Sequence, residues 1–302
     1  MDSLKFKAWV NAARLRTLPL ALSSSLMGSF AAYQDLPFKW NVFGLALLTT
    51  LFLQILSNLA NDYGDSVNGA DNAERVGPVR AVQSGNISAT SMKTALIFTS
   101  FLAFISGMLL IGAGVGYSNW LPWLVFLLVG LLAIAAAILY TAGSNPYGYK
   151  GFGDLFVFLF FGIVAVTGTY YLHTGTLSLK ALLPAITIGF LSTAVLNLNN
   201  MRDIEGDARS GKRTMVVLMG SSYAKLYHFV MVTGAMVAII IWSVLHYISY
   251  WQFIFLLSLP LFARHLRVVL QNKVPAALDP QLKILALSTF ILVLLFGMGL
   301  LI

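Results

Sequence analysis

Long apolar runs alternate with polar connectors along the whole chain, and the runs have the length that crosses a bilayer. A hydrocarbon core of about 30 Å takes roughly 17–25 apolar residues in a helix. Nine stretches qualify, at about 17–34, 41–61, 93–114, 119–141, 154–172, 180–200, 223–246, 248–268 and 282–302. The pattern predicts an all-α, polytopic bundle, one membrane domain over residues 1–302. Its connectors are of two kinds. Those at 35–40, 115–118, 173–179 and 247 are short and nearly uncharged, whereas those at 62–92, 142–153, 201–222 and 269–281 hold most ionisable residues.

Composition agrees with lipid as the solvent. The chain is 58% hydrophobic and 10% charged, against about 25% charged in soluble proteins. It has no cysteine, which excludes disulfides and thiolate metal sites. Met1 to Arg16 is polar and basic, with no small-residue cleavage site in the run that follows, so no cleavable signal peptide is expected. A net charge of +8 invites a nucleic-acid reading, but 17 of the 19 Lys and Arg residues fall at the long-connector side, with Lys39 and Lys180 opposite. That bias predicts the amino terminus and long loops in the cytoplasm, and, after nine spans, the carboxyl terminus outside a bacterial inner membrane. Membrane lipid is the expected surrounding, and no nucleic acid is needed.

Two polar stretches interrupt this pattern. Asn58-Leu59-Ala60-Asn61-Asp62-Tyr63-Gly64-Asp65 closes the second run, and Asn197-Leu198-Asn199-Asn200-Met201-Arg202-Asp203-Ile204-Glu205-Gly206-Asp207 closes the sixth. The shared Asn-Leu-x-Asn suggests two related four-helix halves plus a ninth helix. On a helix Asn58, Asn61, Asp62 and Asp65 share a face, as do Asn200, Asp203 and Asp207, with Asn199 beside them. The plain alternative is that Asp62, Asp65, Asp71 and Glu74 merely solvate a loop. Amides in the last turn of an apolar helix need partners, however. Two such stretches on one side of a membrane point to a hard cation held by Asp62, Asp65, Asp203 and Asp207. Magnesium takes a few carboxylates, water and phosphate oxygens together, so a diphosphate is the expected ligand. Arg80, Lys150, Lys212 and Arg213 bracket the acids and offer it counter-charge. Each of them alone is also explained by topology. Tyr140, Tyr147 and Tyr149 stand near Lys150, where an aromatic face steadies a cation. Glu205, the four histidines and the Gly112–Gly116 run are read as surface or packing features.

With these residues in hand, the chain resembles the UbiA-type intramembrane prenyltransferases over nearly its whole length. Asn61, Asp62 and Asp65 match the family's first acidic motif, with Gly69 at its third acidic place and Asp71 two residues on; Asp203 and Asp207 match the second. Lys150 fits the family's Tyr/Lys loop with altered spacing. Within the family, Ala13 to Pro19, Gly77 to Gly85 and Gly211 to Thr214 are most similar to the branch acting on 1,4-dihydroxy-2-naphthoate. The resemblance implies magnesium-dependent transfer from a polyprenyl diphosphate to dihydroxynaphthoate with release of diphosphate and carbon dioxide. It implies Asp62, Asp65, Asp203, Asp207 and Lys150 as catalytic, and Asn58, Asn61, Arg80, Tyr140, Tyr149, Asn199, Asn200, Lys212 and Arg213 as substrate-binding. Another aromatic acceptor such as 4-hydroxybenzoate is the nearest alternative, and a cation-coupled transporter an alternative of a different class. A CDP-alcohol phosphotransferase is disfavoured, because Gly206-Asp207-Ala208-Arg209 only partly meets its motif.

Overall fold

The computed structural model describes residues 3–33, 35, 37–69, 77 and 79–302, and these residues form helices and turns without a strand. Asp71 and Glu74 lie outside the described residues. In chain order the helices are α1 (Ser3–Ala13), α2 (Leu18–Ala32), α3 (Trp40–Val67), α4 (Ala89–Val115), α5 (Trp120–Leu139), α6 (Gly153–Thr174) and α7 (Leu179–Arg202). Then come the short α8 (Ile204–Arg209), α9 (Met215–Leu245), α10 (Tyr250–Gln271) and α11 (Pro275–Leu301).

Eight of these, α3 to α7 and α9 to α11, are long and apolar enough to cross a bilayer among the described residues. The expected count of nine is not met by length. The first predicted span, 17–34, is the 15-residue α2, about 22 Å at 1.5 Å per residue. Its small residues bury it instead, touching α3, α6, α7 and α11.

Lipid tails are as apolar as leucine, so close packing rather than water exclusion holds such helices together. Gly162 on α6 shows this, because a Cβ there would stand 2.6 Å from the Gly189 Cα of α7. The facing segment of α6, Phe158–Thr167, is a π-helix. Four apolar clusters result among the described residues, two of them large. One gathers α2, α7, α9, α10 and α11 around Trp242, Phe255, Phe262 and Phe296, and the other joins α1, α3 and α4 around Leu56, Leu59 and Met92. On the flank of the second core lies α5, which has no buried residue and packs along α3 and α4 but not along α6.

Candidate active site

Past its apolar run α3 continues helical to Val67, carrying the first acidic stretch with it. That stretch splits into two i, i+4 pairs about 60° apart on the helix. Asn58 and Asp62 face neighbouring backbone. The Asn58 amide donates to the Ala13 carbonyl at 2.9 Å and to the Thr17 hydroxyl at 3.2 Å. The Asp62 carboxylate accepts from the Ala81 and Val82 amides at 3.0 and 3.1 Å. Asn61 and Asp65 instead line a polar cavity of about 200 Å³.

Asp65 is 2% exposed, and a carboxylate that deep costs several kcal/mol unless paired. Arg80 Nη2 stands 2.5 Å from one of its oxygens and Lys212 Nζ 3.0 Å from the other, which also accepts from the Tyr149 hydroxyl. The same ammonium is 3.9 Å from an Asp207 oxygen and 4.5 Å above the centre of the Tyr149 ring. Lys212 therefore joins the two acidic stretches on one side of the bundle. Gly64 makes this possible, since a Cβ there would lie 2.5 Å from the Thr141 carbonyl oxygen. Thr141 also donates its hydroxyl to the Ala60 carbonyl at 2.9 Å, fixing the end of α5, and with it Tyr140, beside Asp65. Burial first, and Asp154 second, push the Tyr140 phenol well above its ordinary pKa, so it stays a neutral hydroxyl.

The second stretch is not one continuous helix. The chain leaves helical geometry at Asp203 (φ −98°, ψ 9°) between α7 and α8, and the Asp207 amide then donates to the Asp203 carbonyl at 2.8 Å. Asn199, Asn200, Asp203 and Asp207 all line the cavity. Arg202, 1% exposed, holds Asp203 with a two-pronged fork at 2.9 and 2.5 Å and reaches Asp279 of α11 at 2.5 Å. Sequence reading counted Arg202 only as a topology charge. Its second partner lies far along the chain, and no local spacing announces it.

Four expected residues sit elsewhere. Asp62 is committed to backbone amides, and Asn58 to the Ala13 carbonyl, Thr17 and Gln54 on the wall of the second cavity described below. Lys150 is exposed at the end of the turn Tyr147–Lys150, where Gly151 at φ 83° leads the chain away, and Arg213 is exposed too. Successive residues of such turns point different ways, so their neighbours Tyr149 and Lys212 face inward while the two cations do not. The structure adds Arg14, Arg16, Gln54, Thr141, Thr214 and Lys283 to the cavity wall.

A second, apolar cavity of about 320 Å³ meets the polar one at Gln54, Asn61, Tyr140, Val157, Phe161 and Leu196. It follows α3 from Asn61 back to Ala46, about 22 Å of helix. Among the described residues no three Asp, Glu or His side chains converge to hold a metal by themselves. The donors present are hard carboxylate and amide oxygens, the chemistry of a cation whose shell is completed by water and phosphate.

A model of the UbiA prenyltransferase family matches residues 21–287. The chain belongs to the UbiA prenyltransferase family. Within it, the chain is similar to the 1,4-dihydroxy-2-naphthoate octaprenyltransferase of Haemophilus influenzae, with 44% identity covering 100% of this chain and 98% of the relative. The Escherichia coli enzyme of that name is 42% identical over 97% and 94%, and that of Bacillus subtilis 31% over 96% and 90%. Among solved structures, a UbiA homolog from Archaeoglobus fulgidus bound to GPP and Mg2+ aligns with a TM-score of 0.63 at 16% identity, covering 98% of each chain. At that identity the likeness concerns the fold. This UbiA-family chain is thus a multi-pass membrane prenyltransferase, and the transporter alternative falls away.

Proposed function

We propose that this UbiA-family enzyme transfers a polyprenyl chain from polyprenyl diphosphate to 1,4-dihydroxy-2-naphthoate, giving the quinol form of demethylmenaquinone. The observation that carries the reading is the junction of a polar cavity and an apolar one at Asn61, Tyr140 and Phe161. A diphosphate with a long hydrocarbon tail needs both, joined at its first carbon. The full-length relatives named for the naphthoate reaction supply the acceptor.

In this mechanism the diphosphate lies near Asp65 and Asp207, where Arg80 and Lys212 neutralise the charge that grows as its C–O bond breaks. Asp65, Asp203 and Asp207, with Asn61, Asn199 and Asn200, would hold magnesium, which when bound supplies further neutralisation of the leaving group. Val157, Phe161 and Leu196 exclude water from the allylic cation, and the Tyr140 ring offers it a negative face. A ring electron pair forms the new C–C bond. Departure of the carboxylate as carbon dioxide returns a pair to the ring, so no net proton needs to leave. The bias of Lys and Arg supports a polar cavity and an amino terminus on the cytoplasmic side.

Membranes or purified enzyme supplied with one polyprenyl diphosphate and, in turn, the naphthoate and 4-hydroxybenzoate test this. Prenylated naphthalene is expected by mass, lost with Asp65→Ala, with Asp203→Ala or on chelation of divalent cations. A product from 4-hydroxybenzoate alone would overturn the acceptor, and full activity in both variants and chelator would overturn the mechanism.

A further inference from the structure

The groups gathered on Asp65 leave one wall of the polar cavity without a role. That wall is made by Arg14 and Arg16 in the turn before α2, by Leu20 of α2, and by Leu282, Lys283 and Ala286 of α11. The turn before α2 is held firmly. Arg14 adopts a left-handed conformation (φ 49°, ψ 60°), which costs a non-glycine residue about 1–2 kcal/mol, so its surroundings must impose it. Thr17 closes the turn onto the Arg14 carbonyl through both its hydroxyl and its amide at 2.9 Å. The Gln54 and Asn58 amides then clamp Thr17 from α3 at 3.1 and 3.2 Å. Asn58, expected from sequence to bind substrate, here helps to aim an arginine.

Arg16 Nη1 stands 3.5 Å from one Asp279 oxygen and Arg202 takes the other at 2.5 Å, so a single carboxylate is shared by two guanidinium groups. Lys283, one turn further along α11, is exposed like Lys150 and Arg213 but, unlike them, lines the cavity, and it has no ion pair or hydrogen bond among the described residues. Two cationic groups thus line a cavity wall with little anionic charge to meet them, beside apolar Leu20, Leu282 and Ala286. A diphosphate is already met by Arg80 and Lys212 around Asp65. The second reactant is also an anion, and it is flat and aromatic.

We propose that Arg16 and Lys283 bind the carboxylate of the aromatic acceptor, with its ring against Leu20, Leu282 and Ala286. This rests on the acceptor reading above in that it requires an acidic aromatic substrate. An arginine fork matches a carboxylate with two parallel hydrogen bonds, and a lysine adds a point charge. Anchored there, the ring is presented to the junction at Phe161 and Leu196 where the allylic carbon lies, and the two anionic substrates keep separate counter-charges. Acceptor recognition is then a property of the first and last helices that line the cavity, and donor recognition of the acidic stretches.

Steady-state kinetics of the full-length enzyme in detergent test the assignment, varying each substrate in turn for the wild type, Arg16→Gln, Arg16→Lys and Lys283→Gln. The KM for naphthoate is expected to rise about ten- to a hundredfold in Arg16→Gln, the cost of losing a charged hydrogen-bonding partner. It should rise less in Lys283→Gln and recover in part in Arg16→Lys, while the KM for polyprenyl diphosphate stays within about twofold. Inhibition by 1-hydroxy-2-naphthoate should weaken in parallel, and inhibition by 1-naphthol, which lacks the carboxylate, should not. Thermal stabilisation by diphosphate with magnesium reports that each variant is folded. A rise confined to the donor KM, or equal weakening of both inhibitors, would overturn the proposal. If the wild type uses 4-hydroxybenzoate instead, the naphthoate reading fails, while the same variants test the carboxylate site on that acid.

Discussion

Asp65 touches Arg80, Tyr149 and Lys212, which reach it from three separate segments of the chain. A single buried charge therefore ties the loop before α4, the Tyr147–Lys150 turn and the connector after α8 into one structure. Lys212→Met should leave Asp65 and Asp207 facing each other without their shared cation and lower stability by about 2 kcal/mol, less than a fully broken buried pair because Arg80 remains. Thermal unfolding in detergent checks it, and added magnesium should recover part of the loss, since a divalent cation then takes the place of the ammonium. No recovery would separate the position of Lys212 from that of the metal. The inward-facing acids and amides were readable from sequence because polar residues in an apolar helix end stand out. Arg202 and Arg16 were not, because an arginine near a membrane helix end has a sufficient topological reason to be there. Only the fold shows that the first is 1% exposed and the second lines a cavity.

Among the helices, α2 and α3 diverge most from what hydropathy suggests. Hydropathy counts apolar residues and so cannot see that α2 stops at Ala32, nor that α3 outlasts its apolar run to reach Val67. The other spans lie within a few residues of expectation, apart from early starts of α4 and α11, where polar or proline-containing first turns join the helix, and of α9, whose apolar first turn from Met215 is set off by a break at Gly220 (φ 78°). Nor does sequence periodicity mark the ten-residue π-helical stretch of α6, which packs closely against α7. The contact of α3 with the end of α5 gives a direct test. Gly64→Ala places a methyl 2.5 Å from backbone at Thr141, whereas Gly44→Ala on the same helix meets nothing within 4 Å. The first should cost about 1–3 kcal/mol and lower kcat as Tyr140 shifts from Asp65. The second should be neutral or stabilising by up to about 1 kcal/mol. Unfolding temperature and single-turnover rate for the pair decide it, and equal behaviour would remove Gly64 as the reason for the close approach.

For the molecule as a whole, the division of the apolar interior into separate clusters is a property of how distant helices pack, and no single motif encodes it. Orientation in the membrane rests on charge alone and is open to a simple experiment. Because the chain has no cysteine, one introduced thiol is a unique label. Lys150→Cys should react with an impermeant maleimide only from the cytoplasmic side, and Thr176→Cys only from the other, both positions being exposed. The reverse pattern would invert the topology and the proposed cytoplasmic active site with it. Finally, α5 has no buried residue and does not pack along α6, although the rings of Phe126 and Tyr171 meet at 5.2 Å. A hydrophobic tail of any length can slide in broadside from the bilayer at such a seam, and the finished quinol can drift out by the same route. Nothing has to be threaded end-first or pulled back out, so turnover need not slow in proportion to the number of isoprene units.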